Sequence, residues 1–265
     1  SLYQRKDFSY AFFEEKFWEP IRKGTGAGHA TVSDVLSSIW NRVFYGRLGV
    51  VGDIEAYHLY SLTLAAILVS VIFYVTALHF GAFAGLVSAL ALSLYPLFLG
   101  EARYNIKDVP EAVFYGLTIL AFYQGVVSGK ARWIIVSSLF FGLGFGTKLN
   151  VVFAVPTLAI WATVYLWGPF RREGLGTFIK RRTWLIVTIL FYPLLPIFLY
   201  FGTWPILWRD PIGGFLYNMW YYRSIGLGGE QLPAYQSIGG ISTLAIAWIV
   251  YTTPLITLFL GLCSL

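Results

Sequence analysis

Charge is scarce in this chain. Only 12% of its 265 residues are Asp, Glu, Lys or Arg, about half of what an ordinary soluble domain carries. A single cysteine, Cys263, excludes a disulfide framework and a cysteine-based metal centre. Three histidines, His29, His58 and His79, lack any ligand spacing such as His-x-x-x-His, so no metal set is expected. There is no internal repeat and no low-complexity tract. The net charge of +6 follows the placement of loops, so nucleic acid is not an expected partner. What fills the chain is apolar: 57% hydrophobic and 19% aromatic, with a mean hydropathy of +0.67. That composition reads as an integral membrane protein.

Apolar runs near 59–79, 82–99, 110–128, 133–146, 149–168, 184–203 and 239–264 read as seven spans. Spans must satisfy their own backbone hydrogen bonds in lipid, so helices are expected throughout. The fold class is therefore all-α integral membrane, a multi-span helical bundle. The 133–146 run is short for a bilayer core. Pro96, Pro156, Pro193, Pro196 and Pro254 are expected to kink their spans without ending them. Residues 1–57 read as an extracytoplasmic segment and 58–265 as the transmembrane region. Within the first segment Val32, Val35, Leu36, Ile39, Trp40, Val43 and Phe44 recur at helical spacing, opposite Ser33, Asp34, Ser37, Ser38, Asn41 and Arg42. A strong moment with little net hydrophobicity predicts an interfacial helix over 32–45, started by Thr31 and Asp34. The chain opens at Ser1 on a polar, amphipathic stretch without a signal-peptide pattern. It stops at Leu265 at the end of an apolar run, and reads as a piece of a longer protein.

Alternation of the spans sorts the charges. Lys130, Arg132, Arg171, Arg172, Lys180, Arg181 and Arg182 fall on one side with Glu173 alone. The remaining twelve carboxylates and twelve cations balance on the other. The basic face is expected to be cytoplasmic and the carboxylate face to point outward. No span interior carries a charge, so no ion relay crosses the bilayer, and a coupled transporter would need one near the midplane.

The stretch from Gly100 to Pro110 is the densest polar segment between two spans, holding Glu101, Arg103, Asn105, Lys107 and Asp108. Asp108 with Glu111 suits a helix cap as well as chemistry. Arg103 and Lys107, four apart, would share a helical turn and address one anion, or snorkel to the interface. Gly142 to Lys148 superficially suggests a phosphate loop, but Leu149 follows the lysine and the spacing is wrong. Lys148 stands between two spans with little polar company, as a functional group or a snorkelled anchor. Trp204, Pro205, Trp208, Arg209, Asp210 and Pro211 lead into Tyr217, Trp220, Tyr221 and Tyr222. Interfacial belts explain most such clusters, and sugar stacking or a lipid-carrier groove is the narrower reading. Asp7, Glu14, Glu15 and Glu19 are further outer carboxylates, most of them suited to a solvated helix face.

Several stretches, taken in order, resemble the bacterial and archaeal members of the glycosyltransferase 39 family, relatives of protein O-mannosyltransferases and aminoarabinose transferases. They are Gly28-His29-Ala30-Thr31, Tyr95-Pro96, Asn105-Ile106-Lys107-Asp108-Val109-Pro110, and Gly146-Thr147-Lys148 with Asn150. Trp204-Pro205, Trp208, Asp210-Pro211, Pro233-Ala234-Tyr235 and Thr252-Thr253-Pro254 follow. The resemblance implies a GT-C membrane fold with an interfacial helix in the first outer loop. It implies inverting transfer of a sugar from a polyprenyl-phosphate carrier to an acceptor hydroxyl of protein, lipid or glycan, at the outer face of a prokaryotic plasma membrane. It places Asp108 and Asp7 as catalytic carboxylates, and Arg103, Lys107, Lys148, His29, Asn105, Trp208 and Arg209 around the substrates. It assigns no metal or other cofactor. The family's Asp-Glu pair after a first span has no counterpart here: Asp7 precedes Phe8, and Glu14-Glu15 lacks the aspartate, so the base is also sought upstream of Ser1. A lipid-linked-sugar transporter or flippase, and a non-catalytic membrane subunit, are the competing classes.

Overall fold

The computed structural model describes residues 30–228, together with 237–238 and 241–242. Helix α1 (Val32–Asn41) runs on as one π-helical stretch, Arg42–Arg47. Helix α2 (Asp53–Phe80) opens with Asp53 and Glu55 in its first turn, where carboxylates complement the helix dipole. Gly81, at φ 90°, takes a backbone conformation closed to residues with a Cβ and turns the chain into α3 (Ala82–Ser93). Then follow α4 (Pro96–Glu101), α5 (Asp108–Ser128) and α6 (Ala131–Phe145). A 3₁₀ stretch, Leu149–Phe153, leads into α7 (Ala154–Glu173). The chain continues through α8 (Leu175–Arg181), α9 (Thr183–Phe191), α10 (Leu194–Thr203), α11 (Ile206–Arg209) and α12 (Pro211–Gly228). Ser237–Ile238 and Ile241–Ser242 pair as a two-residue antiparallel ladder.

The molecule is an all-α, GT-C-like membrane protein. Four helical units among the described residues are long and apolar enough to cross a bilayer: Asp53–Phe80, Asp108–Ser128, Leu149–Glu173 and Thr183–Thr203. Ala82–Ser93 and Ala131–Phe145 are apolar but shorter. The expected span 239–264 lies outside the described residues.

Two expectations need correction. Pro96 ends a helix: α3 stops at Ser93, Tyr95 is extended as a residue before proline must be, and Pro96 starts α4 at its first position. The stretch 169–183 is largely helical, because α7 continues through Pro169 to Glu173 and α8 follows directly.

The proline pair in the last long span does interrupt it, between α9 and α10. Pro196 has no N–H to offer the carbonyl of Tyr192, four residues back. The Ser138 hydroxyl of α6 donates to that oxygen instead, at 2.5 Å. Ser137 beside it donates to Thr118 O of α5 at 2.8 Å. In lipid an orphaned carbonyl costs several kcal/mol, so the Ser138 hydroxyl makes the break tolerable. Contact is close here because Gly142 faces α10: a Cβ on it would stand 2.9 Å from Pro196 Cα. Small residues that let helices approach are the usual source of packing energy where lipid removes the hydrophobic drive.

Helix α5 is the most buried of the four long units. One side packs Val109, Val113 and Leu117 on Leu68 of α2. The other packs Phe122 and Val126 on Ile134, Leu158 and Leu185.

Candidate functional site

Among the described residues, one end of the bundle gathers a connected set of polar contacts. Its scaffold is α1, which docks by its serine side. Ser33, Ser37, Ser38 and Asn41 are buried with Val32, whereas Ile39 is 47% exposed. Small polar side chains let α1 lie close against the bundle, with Val35, Leu36 and Trp40 half-buried and Ile39 left exposed. The Val32 N–H donates to Gly146 O at 2.8 Å. Ser33 Oγ lies 3.0 Å from Thr147 Oγ1 and 3.3 Å from the Tyr60 hydroxyl, all three buried. Asn41 Nδ2 donates to both the backbone oxygen and Oδ1 of Asp53, at 2.9 and 2.6 Å, fixing the far end of α1 to α2. Thr31 does not cap the helix by its side chain; its hydroxyl donates to Thr203 O of α10 at 2.6 Å.

Between α4 and α5 the chain turns around Asn105. Asn105 Oδ1 accepts from the backbone N–H of Lys107 at 3.0 Å and of Asp108 at 2.8 Å, so Asn105 carries the capping work expected of Asp108. Its Nδ2 donates to Glu101 Oε2 at 2.7 Å and to Asp108 Oδ2 at 3.1 Å. Glu101 also accepts from Tyr104 at 2.9 Å, a bond that pushes the phenol's pKa up. Asn105 thus orients Asp108 with every polar atom of its amide engaged. Its replacement by alanine is expected to cost about 0.5–2 kcal/mol, the range for a lost helix-terminal cap. Denaturation of the purified protein measures that loss; a stability unchanged from the parent would remove Asn105 from this role.

Consecutive residues then make opposite ion pairs. Lys107 Nζ meets Asp34 Oδ2 of α1 at 2.6 Å and donates to Ala30 O at 3.1 Å. Asp108 Oδ1 receives Lys148 Nζ at 2.6 Å. Because Ser33 and Thr147 also touch, Asp34 and Lys148 follow a contacting pair, and four alternating charges are laced together from three chain segments. Asp108 is the more open member of its pair, with 54% of its side chain exposed against 27% for Lys148. The charges of the two ion pairs cancel, and the second pair is open on its carboxylate side. An arriving phosphate can draw on a lysine already in place, and a hydroxyl can reach Asp108.

The remaining expected residues fall variously. Arg103 is exposed, and helix is interrupted between Glu101 and Asp108, so Arg103 and Lys107 do not share one turn. Trp208 is half-buried and donates its indole N–H to Phe201 O at 2.8 Å, a packing role beside buried Trp204 and Leu207. Arg209 ends α11. Asp7 and His29 lie outside the described residues. Sequence reasoning missed Asp34, Ser33 and Thr147 as members of the cluster, whereas Glu101 stood in the polar segment already singled out. The stripe of Ser33, Ser37 and Asn41 at four-residue spacing was the available signal for a face that docks on protein.

The basic residues occupy the opposite end. Lys148 precedes a 25-residue helical unit that closes at Glu173, about 37 Å further on at 1.5 Å per residue, so Arg171 and Asp108 stand at different ends of the bundle. Comparison with curated proteins and with solved structures returns no match. A family model described as dolichyl-phosphate-mannose-protein mannosyltransferase matches residues 47–199, more than half of the chain and a range that holds α2 through most of α10 with Asp108 and Lys148. The chain belongs to the dolichyl-phosphate-mannose-protein mannosyltransferase family of membrane glycosyltransferases.

Proposed function

We propose that this chain carries the donor-phosphate side of a site that moves one sugar from a polyprenyl phosphate to an acceptor hydroxyl, with inversion. The observation that carries the reading is the Asp108–Lys148 pair at 2.6 Å, at the end of the bundle away from Arg171 and Arg172. The acceptor oxygen attacks the anomeric carbon, the bond from that carbon to the phosphate oxygen breaks, and the hydroxyl proton passes to a carboxylate. Asp108 is the carboxylate proposed for that proton, with Asp7 the second candidate. Lys148 holds the leaving phosphate, whose tail keeps it at the membrane surface. Arg103, exposed nearby in sequence, and His29 are assigned to the substrates, while Lys107 and Asn105 position the loop.

The site faces outward in this reading, because seven cations gather with a single carboxylate at the other end. Charges confined to the ends of the spans favour an enzyme over a coupled carrier. The deciding assay supplies the full-length protein in liposomes with radiolabelled polyprenyl-phosphate sugar. Label is expected to pass covalently to a hydroxyl acceptor, with release of polyprenyl phosphate. Movement of intact donor across the bilayer without transfer would replace this reading with a flippase.

A further inference from the structure

The bundle is open along most of the length of α7, between it and the α9–α10 pair. An apolar groove of about 840 Å³ runs there, floored by Phe122 and Phe141 and walled by Ala162 and Ile189. That volume is within the roughly 300–1,000 Å³ typical of ligand pockets. The groove begins near Val152, in the 3₁₀ stretch after Lys148, and ends on Trp167, Phe170 and Phe178 at the far end of the span.

The terminal rings carry cations. The guanidinium of Arg171 lies over the Trp167 ring at 5.2 Å, and that of Arg182 over Phe178 at 4.5 Å. Phe170 meets Phe178 edge to face at 5.4 Å, joining the two helices beneath these arginines. Glu173 accepts from Arg181 at 3.1 Å and from Arg182 at 2.7 Å. Five cations thus stand within residues 171–182 against that one carboxylate. Arg171, Arg172 and Lys180 are exposed and make no ion pair among the described residues. Leu175 and Ile179, one turn apart on α8, are exposed beside them and offer an apolar footing at the membrane surface.

We infer that this groove binds one anionic glycerophospholipid, its acyl chain along the aromatic floor and its phosphate among Arg171, Arg172 and Lys180. Hydrocarbon suits the lining. A phosphate suits guanidinium groups, which offer it paired N–H donors. The sugar carrier is a different lipid in this respect: its phosphate reacts at the end marked by Lys148, whereas the groove's cations stand at the other end. The inference rests on the groove and its rim, and holds whether or not the chain transfers sugar.

The test titrates the purified full chain, in mild detergent, with fluorescent phosphatidylglycerol, and with phosphatidylcholine and polyprenyl phosphate as competitors. Phosphatidylglycerol is expected to bind in preference to both. The exposed pair of changes Arg171→Gln and Arg172→Gln is expected to weaken it by roughly fivefold per cation removed. Ala162→Trp, which fills the groove, is expected to abolish binding while leaving the cations in place. Equal binding of phosphatidylcholine would overturn the proposal. So would displacement by polyprenyl phosphate, or an affinity unmoved by Ala162→Trp, as when another part of the chain covers the groove.

Discussion

Lys148→Ala is expected to slow sugar transfer by about 10²–10³-fold, and Asp108→Asn by roughly 10²–10⁴-fold. The two losses have different origins. Lysine neutralises charge that grows on the phosphate as the bond to the sugar breaks, a term present chiefly in the transition state. Aspartate takes a proton that asparagine cannot accept. Folding is expected to change little in either variant, because a partly exposed ion pair contributes only about 0–1 kcal/mol. Thermal denaturation therefore separates the catalytic effect from a structural one. The double variant is expected to be scarcely slower than the worse single variant, since groups acting as one unit lose their joint effect together. Lys148→Arg keeps the charge in a different geometry and is expected to recover only part of the rate. Wild-type transfer by both Asp108→Asn and Lys148→Ala would dismiss the pair from the reaction.

Much of this arrangement could be read from composition and periodicity, and the part that could not has a common cause. The long apolar units around 59–79, 110–128, 149–168 and 184–203 stand as expected, because lipid leaves a run of that length no structure other than helix. The Asn105–Asp108 and Gly146–Lys148 segments proved to share one cluster, although forty residues separate Asp108 from Lys148 in sequence. What failed was local capping logic, and what stayed hidden was the partner of the polar face of α1. Asp108 looked like the cap, yet Asn105, three residues earlier in the loop, takes the N–H groups of Lys107 and Asp108. Helix α1 was expected in the membrane interface with its apolar side toward lipid, but the pattern alone did not say that its serine side would meet protein. In a bilayer that side can face lipid, and the serines decide which face meets protein. Asp34 was hidden for the same reason: it was counted on the solvent side, and its partner Lys107 lies seventy-three residues away.

Gly146→Ala is expected to disable the site without touching any charged residue. The backbone at Gly146 has φ −75°, a conformation open to any residue, so the cost is steric alone. A Cβ placed there would overlap Val32 Cγ2 and come to 3.2 Å from Gly142 O. The backbone bond from Val32 N–H to Gly146 O holds the two segments at that distance. Neither can retreat without breaking it. Overpacking of this kind costs about 1–3 kcal/mol. Relief by lifting the start of α1 would also pull Ser33 from Thr147 and Asp34 from Lys107, so a loss of at least tenfold in transfer is expected along with the drop in stability. Val32→Ala removes the methyl groups that the new Cβ meets. Combined with Gly146→Ala it is expected to restore most of both, giving a coupling of about 1–2 kcal/mol in a double-mutant cycle on stability. Additive losses in that cycle would mean that α1 is not seated on the 144–148 turn, and the four-charge cluster would lose its frame.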